Sequence, residues 1–163
     1  MLTRDLVDSL FEYRNGVLYW KVNRGPVKTA GRVAGGRSVR GYQHIRIGKQ
    51  IHKRHRLVFL LHHGYLPQCV DHINGDVNDD RIENLRASTL SQNMHNQGVR
   101  KTNTSGIKGV SWYPRYNKWR ACLTVDRKMT TVGYFLTKEE AGEAVREARA
   151  KLHGEFANHG NHN

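Results

Sequence analysis

A polar segment from Arg100 to Ser105 separates two parts of the chain, and each part has its own pattern of apolar residues. Before this segment, short apolar runs are separated by Gly, Asn and Asp. After it, three strand-like runs precede one amphipathic helix. A chain of 163 residues with 37% hydrophobic residues can build one ordinary domain or two small ones, and neither core can be large. The polar break favours two small modules.

Short antiparallel strands are predicted over residues 1–52. The pair Asn15-Gly16 lies between two apolar runs, which is a strong hairpin signal, and Gly48-Lys49 interrupts a second alternating run in the same way. The segment 21–41 is rich in Gly and Arg and poor in apolar residues. We therefore expect it to be a mobile loop that becomes ordered on a ligand.

The centre of the chain combines a predicted helix with polar loops. Residues 53–63 are predicted to be helical and to end at Gly64, a common stop residue. Residues 70–90 are rich in Asp, Asn and Gly, so loops and short strands are expected there. A capping box at Thr89, with Gln92 three residues later, predicts a short helix to about residue 97.

Residues 106–158 are predicted to form a three-stranded sheet backed by one helix. The strand-like runs cover 109–113, 118–125 and 129–135. A second capping box, formed by Thr137 with Glu140, opens a helix with one apolar stripe. The stripe consists of Ala141, Ala144, Val145, Ala148 and Leu152.

Alternation along these strands predicts which side chains face the helix. The inward residues are Val110, Trp112, Trp119, Ala121, Leu123 and Val125. The opposite face then carries Ser111, Tyr113, Arg120, Cys122 and Thr124. The overall prediction is an α+β fold with five parts: a β-rich extension at 1–52, a core at 53–99, a linker at 100–105, the sheet-and-helix module at 106–158 and a tail at 159–163.

Positive charge is concentrated in the two ends of the chain. The formal net charge is +13, and it divides into +10 for residues 1–60, −2 for residues 61–100 and +5 for residues 101–163. A chain with basic end segments and an acidic central segment could bind phosphates at its ends and a cation at its centre. A polyanion is therefore the expected partner, and nucleic acid is the commonest one.

Other classes of protein find little support in the composition. Cys69 and Cys122 are far apart and outside any CxxC spacing, so no disulfide framework or cysteine-based zinc site is predicted. No apolar run approaches a membrane span, and the N-terminus lacks a secretory signal, so a cytoplasmic protein is expected. A zinc site built from the histidines between positions 52 and 63 is disfavoured because no spaced partner accompanies them.

Four polar residues in the centre of the chain could together hydrolyse a phosphodiester bond. The reaction needs a base that deprotonates water and a hard cation that stabilises charge on the phosphate. Asp71-His72, Asn84 and Asn93 offer an imidazole, a carboxylate and amide oxygens. A neutral imidazole is a suitable base near pH 7, and oxygen ligands suit magnesium.

These residues resemble the HNH endonuclease family, in the phage and intron-encoded branch whose last motif residue is Asn. The resemblance implies a ββα-metal core, with His72 as general base and Asn84 as the residue that orients its loop. It further implies that Asp71 and Asn93 hold Mg²⁺ or Mn²⁺. Asp80 stands where the family often has Asn, so it is expected to act beside the catalytic set.

The C-terminal module is similar to the ethylene-response-factor type of DNA-binding domain. The matching residues include Gly109-Val110, Lys118-Trp119, Val132-Gly133 and Leu152-His153-Gly154. Such a domain lays its sheet in the major groove of DNA. The family's base-reading arginines are mostly absent here, where Ser111, Tyr113 and Thr124 stand instead, so a target sequence does not follow.

The expected function is a metal-dependent, homing-type endonuclease that nicks double-stranded DNA in a phage-infected bacterial cell, as a monomer or a dimer. The rival interpretations are a non-catalytic DNA-binding regulator and an RNA-binding protein, although no recognised aromatic RNA platform is present. The expected DNA contacts are Arg46, Arg54, Arg56, Lys108, Ser111, Tyr113, Arg115, Lys118, Arg120, Thr124, Arg127 and Lys128.

Overall fold

The computed structural model describes residues 1–37, 41–96, 99, 102–125, 128–154 and 157. The chain forms two compact units, residues 1–89 and residues 90–163. Each unit has its own hydrophobic core. The mixture of small antiparallel sheets and helices confirms the predicted α+β class, while the five-part division of the chain remains a prediction.

The first unit begins with a helix that the sequence analysis missed. Helix α1 covers Arg4–Leu10, and the Thr3 side chain accepts a hydrogen bond from the Leu6 backbone N–H, as an N-cap residue does. Val7 on this helix is fully buried. Because the helix is only 7 residues long, its apolar pattern is too short to stand out from that of the strands that follow.

The hairpin predicted at Asn15-Gly16 is confirmed. Strands β1 (Phe11–Arg14) and β2 (Val17–Trp20) pair antiparallel, with Arg14 opposite Val17. Asn15 and Gly16 both have positive φ, at 45° and 85°. A two-residue turn of this kind needs that conformation, and Asn and Gly adopt it at the least cost.

The segment 21–41, expected to be a mobile loop, is mostly turns and loops with several hydrogen bonds in the part that the structure describes, and its mobility remains a prediction. The backbone of residues 31–34 pairs with β2 through Trp20 N–H to Arg32 O and Ala34 N–H to Leu18 O. The Asn23 side chain accepts hydrogen bonds from Thr29 and Ala30. Low apolar content did not indicate these contacts, because backbone pairing needs no apolar side chains. Residues 38–40 lie outside the described residues.

A second sheet leads into the long helix of the first unit. Its strands are β3 (Gly36–Arg37), β4 (Gln43–Ile47) and β5 (Gln50–Lys53), in that order and all antiparallel. Helix α2 covers Arg54–His63 and ends at Gly64, whose φ of 78° allows the chain to leave the helix. Both predictions, the hairpin and the helix stop, are confirmed.

The remaining elements of the first unit form one hairpin with a long connection. Strands β6 (Cys69–His72) and β7 (Leu85–Ser88) pair antiparallel, and a 3₁₀ turn at Ile82–Asn84 precedes β7. The Tyr13 hydroxyl accepts a hydrogen bond from the Ile82 backbone N–H, which ties this turn to the first hairpin. The core of the unit consists of Val7, Phe11, Leu18, Trp20, Ala34, Ile45, Leu57, Val58, Phe59, Leu60, Val70 and Leu85.

The second unit begins with helix α3 (Leu90–His95) and continues with the predicted sheet. Strands β8 (Val110–Tyr113), β9 (Lys118–Val125) and β10 (Lys128–Phe135) form an antiparallel sheet with β9 in the middle. Helix α4 (Lys138–His153) begins with the predicted capping box of Thr137 and Glu140. The core of the second unit contains Val110, Ala121, Leu123, Ala141 and Val145.

Two predicted core positions of this unit are wrong. Leu152 is 56% exposed although it lies on the same side of α4 as Ala141, so the sheet does not cover the last turn of the helix. Trp112 is 43% exposed because β8 is an edge strand, and its ring meets that of Trp119 at a centroid distance of 5.3 Å. The predicted inward face of the middle strand is confirmed.

Candidate active site

The hairpin of β6 and β7 carries the two central residues of the predicted site. Asp71 and His72 are the last residues of β6, and they pair with Arg86 and Leu85 of β7. Each of the two residues is only 4% exposed. The chain then leaves the strand into the polar loop that was predicted from its Asp, Asn and Gly content.

The imidazole of His72 is bound to the carboxylate of Asp80. His72 Nε2 lies 2.8 Å from Asp80 Oδ1, and both side chains are buried. An ionised carboxylate only accepts hydrogen bonds, so Nε2 carries the proton in this contact. The contact with Asp80 fixes the orientation of the His72 ring.

Arg54 balances the charge of Asp80. Its Nε donates to Asp80 Oδ2 over 2.7 Å, and Asp80 as a whole is 2% exposed. A buried carboxylate without such partners would be costly, and each of its oxygens here has one donor. The sequence analysis placed Asp80 beside the catalytic set, but it assigned Arg54 to DNA. In the structure the Arg54 guanidinium is buried and forms an ion pair with Asp80.

The ring of a second histidine, His55, packs against that of His72. The rings of His55 and His72 have a centroid distance of 4.9 Å, and His55 is 4% exposed. Burial, together with His72 and nearby basic groups, lowers the pKa of His55 to about 2, so its ring is neutral at physiological pH. Tyr42 packs against His55 at 5.4 Å, and Lys53 lies 4.1 Å from the centre of the Tyr42 ring.

Asn84 holds the loop between the two strands. Its Oδ1 accepts from the Asn74 backbone N–H over 3.0 Å, and its Nδ2 donates to Asn74 Oδ1 and to the Asp79 carbonyl. The loop that carries Asp80 is therefore tied to the start of β7. These contacts agree with the orienting role that the family resemblance implies, and that role remains a prediction.

The two predicted metal ligands lie in different units. Asp71 accepts a hydrogen bond from Arg86 Nε at its Oδ2 over 3.0 Å, a contact that the sequence analysis did not foresee. Asn93 lies on α3 in the second unit and is half-buried there. Metal binding by either residue remains a prediction.

Another group of donor atoms comes together in the first unit. One ligand atom each from His55, His72 and Asp80 lies within 4.8 Å of the others. Two imidazole nitrogens and one carboxylate suit a transition metal better than magnesium. The carboxylate already accepts from Arg54 and His72, so we interpret the group as the support of His72. Sequence reasoning missed it because its members come from α2, β6 and the following loop.

The predicted DNA contacts differ in their surroundings. In the first unit Arg46 is exposed, whereas Arg56 donates to the carbonyls of Pro67 and Gln68. In the second unit the exposed or half-buried candidates are Lys108, Ser111, Tyr113, Arg115, Lys118, Arg120, Thr124 and Lys128. Burial lowers the pKa of Lys108 to about 8. Arg127 lies outside the described residues, and all of these roles remain predictions.

Comparison with known proteins agrees with the central motif. The HNH endonuclease family matches residues 52–95 of this chain. Protein 3.8 of Escherichia phage T7 is 34% identical over 116 residues, which cover 67% of this chain and 93% of that protein. No solved structure matches the chain. Among the residues that the structure describes, no helix has the length and apolar character of a membrane span.

Proposed function

Because this chain belongs to the family of phage T7 Protein 3.8 and contains an HNH endonuclease domain at residues 52–95, we propose that it is a metal-dependent endonuclease that hydrolyses phosphodiester bonds in double-stranded DNA. The observation that carries this proposal is the orientation of His72. An imidazole bound through Nε2 to a buried carboxylate is held in a defined orientation, as a general base needs to be.

In the proposed reaction His72 activates the attacking water. The His72 imidazole takes a proton from water, and the resulting hydroxide attacks the phosphorus atom. The bond from phosphorus to one ester oxygen breaks, and that oxygen takes up a proton from solvent. Asp80 stabilises the imidazolium that forms, and Arg54 keeps the charge of Asp80 balanced. Asn84 donates a hydrogen bond to the carbonyl of Asp79 and so holds the loop that carries Asp80 in position beside His72.

Asp71 and Asn93 are the residues that we propose to hold the divalent cation. Arg86 from the neighbouring strand fixes the buried carboxylate of Asp71, and carboxylate and amide oxygens are the donor types that fit Mg²⁺ or Mn²⁺. When bound, the cation would stabilise negative charge on the phosphate and on the leaving oxygen.

The charge distribution supports DNA as the substrate. The net charge of +10 in residues 1–60 and of +5 in residues 101–163 would bind the phosphates of the duplex. With one active site per chain, a monomer nicks one strand. A homing-type role in a phage-infected bacterial cell is part of this proposal.

A plasmid nicking assay across a magnesium titration tests the proposal. His72→Ala should lower the nicking rate at least about 100-fold, because general bases contribute roughly 10² to 10⁴ in rate, while DNA binding stays close to that of the unchanged protein. His63→Ala is the matched control, since His63 is an exposed histidine of α2 in the same unit.

Asp71→Ala and Asn93→Ala should each raise the magnesium concentration needed for nicking. Normal cleavage by both variants at every magnesium concentration would place the cation elsewhere. A chain that binds DNA but never nicks it under these conditions would instead be the rival, a non-catalytic regulator on a nuclease scaffold.

A further inference from the structure

Three tyrosines form a cluster on the side of the second unit's sheet that α4 does not cover. Tyr113 ends β8, Tyr116 lies in the 3₁₀ turn Pro114–Tyr116, and Tyr134 lies on β10. The centroid of the Tyr113 ring lies 5.2 Å from that of Tyr116 and 5.3 Å from that of Tyr134. The centroids of the Tyr116 and Tyr134 rings are 4.8 Å apart. The rings are thus ordered by one another before any partner binds.

The cluster is not part of the hydrophobic core of the unit. The core on the opposite face is built around Ala121, Leu123 and Val145. Tyr116 is 50% exposed and Tyr134 is 36% exposed, and their ring planes differ by 75°. Parts of two tyrosine side chains of different ring orientation are therefore exposed to solvent.

Basic side chains surround the tyrosines. The Arg120 guanidinium lies over the Tyr113 ring at 5.1 Å, and that of Arg115 lies 5.8 Å from the centre of the Tyr116 ring. Lys118 is the strand neighbour of Tyr113 across the sheet. Arg120 Nε is buried without a hydrogen-bond partner among the described residues. Its positive charge is not neutralised by an ion pair among the described residues.

Aromatic rings flanked by cations fit unpaired nucleotides. In a B-form duplex the faces of the bases are hidden in the stack, and only their edges reach the grooves. An exposed ring can stack only on a base that has left the stack, and nearby cations then bind its phosphates.

We propose that this tyrosine cluster is a stacking platform for unpaired bases of DNA. The second unit then directs the chain to DNA with a single-stranded segment, such as a bubble, a gap or a fork. This inference rests on the proposed function in taking DNA as the ligand, and it replaces the major-groove docking that the resemblance to ethylene-response-factor domains implies.

Binding of the full chain to labelled oligonucleotides tests the inference. Fluorescence anisotropy is measured in a magnesium-free buffer with chelator, so that no strand is cut. The probes are a duplex, the same duplex with a central unpaired bubble, the single strand and an RNA strand of equal sequence. The unchanged protein should bind the bubble and the single strand at least about fivefold more tightly than the duplex, since stacking contributes about 1–3 kcal/mol per base.

Variants separate stacking from other contacts. Tyr116→Leu and Tyr134→Leu keep apolar bulk but lose the ring, and each should weaken bubble binding by about 5- to 100-fold while duplex binding changes little. Tyr116→Phe and Tyr134→Phe should bind normally, because the ring remains. Met129→Leu is the matched control on the same face of β10, where Met129 is 64% exposed.

Several outcomes would overturn the inference. Equal losses on duplex and bubble would make the face a duplex contact, and unchanged binding by the Leu variants would remove it from DNA binding. Failure of the Phe variants would assign the effect to the hydroxyl groups, and equal or tighter RNA binding would change the ligand. The nicking assay with His72→Ala is independent of these readouts, so failure of the nuclease proposal can be told apart from failure of this one.

Discussion

Asp80 contacts the side chains of two buried residues, the positively charged Arg54 and His72. Its Oδ2 accepts from Arg54, which is far away in sequence, and its Oδ1 accepts from His72. Because all three side chains are buried, removing one charge leaves another without compensation. The stability of the first unit and the orientation of the proposed base therefore depend on the same carboxylate.

Asp80→Asn should lower the free energy of unfolding by about 3–5 kcal/mol, because the buried charge of Arg54 loses its partner. Arg54→Met alone should also destabilise, since it removes the counter-charge of Asp80. The double variant should recover part of the loss, because no unpaired charge remains. Urea denaturation of the four proteins gives the coupling free energy, and additive effects would show that the pair is not coupled.

The stability of the first unit should fall as the pH is lowered from about 6.5. His55 has a pKa of about 2 in the folded chain, mainly because it is buried, and an ordinary value of 6.5 when unfolded. Below pH 6.5 the unfolded chain takes up a proton that the folded chain does not. The free energy of unfolding then decreases by up to about 1.4 kcal/mol per pH unit from this group.

His55→Gln removes this titration, so its stability should depend less on pH between 6.5 and 5. Urea denaturation at pH 7, 6 and 5 measures the difference, with His63→Gln as the exposed-histidine control. If the curves of His55→Gln and of the unchanged protein run parallel over this range, His55 does take up a proton in the folded state.

At the scale of elements, the turn before β8 contains a glycine, Gly109, that packs closely against the backbone of β9. Gly109 has a φ of 82°, and a Cβ atom there would lie 2.5 Å from the Cys122 carbonyl oxygen. Gly106 has a similar φ of 76° but nothing within 4 Å of the corresponding position. The two glycines thus share a backbone conformation and differ in steric contact.

Gly109→Ala should destabilise the second unit more than Gly106→Ala does. The conformational penalty is common to both and amounts to about 1–2 kcal/mol. The close approach to Cys122 on the middle strand adds about 1–3 kcal/mol for Gly109→Ala alone, a typical cost of overpacking. Denaturation followed by tryptophan fluorescence measures both variants, and equal losses would mean that β9 moves away without cost.

At the scale of the whole molecule, the net charge of +13 makes any DNA binding depend on salt. Each neutralised phosphate adds about 0.9 to the slope of log affinity against log salt concentration. Since residues 101–163 carry +5 of this charge, their removal should flatten the slope and lower the affinity. Because the proposed catalytic groups precede residue 101, cleavage at low salt should persist.

The measurement compares duplex binding at several salt concentrations for the full chain and for the chain without residues 101–163. Circular dichroism must first show that the shortened chain is folded. An unchanged slope and an unchanged cleavage site in the folded, shortened chain would mean that residues 101–163 do not contribute to duplex binding.

Local patterns in the sequence were enough to predict the elements that depend on neighbouring residues. The Asn15-Gly16 turn, the helix stop at Gly64 and the capping box of Thr137 with Glu140 are confirmed because backbone conformation and nearby hydrogen bonds decide them. The central Asp-His motif was visible for the same reason, since its residue types and spacing lie within one short segment.

Only the tertiary structure decided which distant side chains meet. The contacts of Asp80 with Arg54 and of Arg86 with Asp71 join residues 26 and 15 positions apart, and the tyrosine cluster depends on strand register and one turn. Such contacts depend on how whole elements pack, and alternation and charge counts carry no information about that packing. For this reason Arg54 was assigned to DNA from the sequence, whereas in the folded chain it neutralises a buried carboxylate.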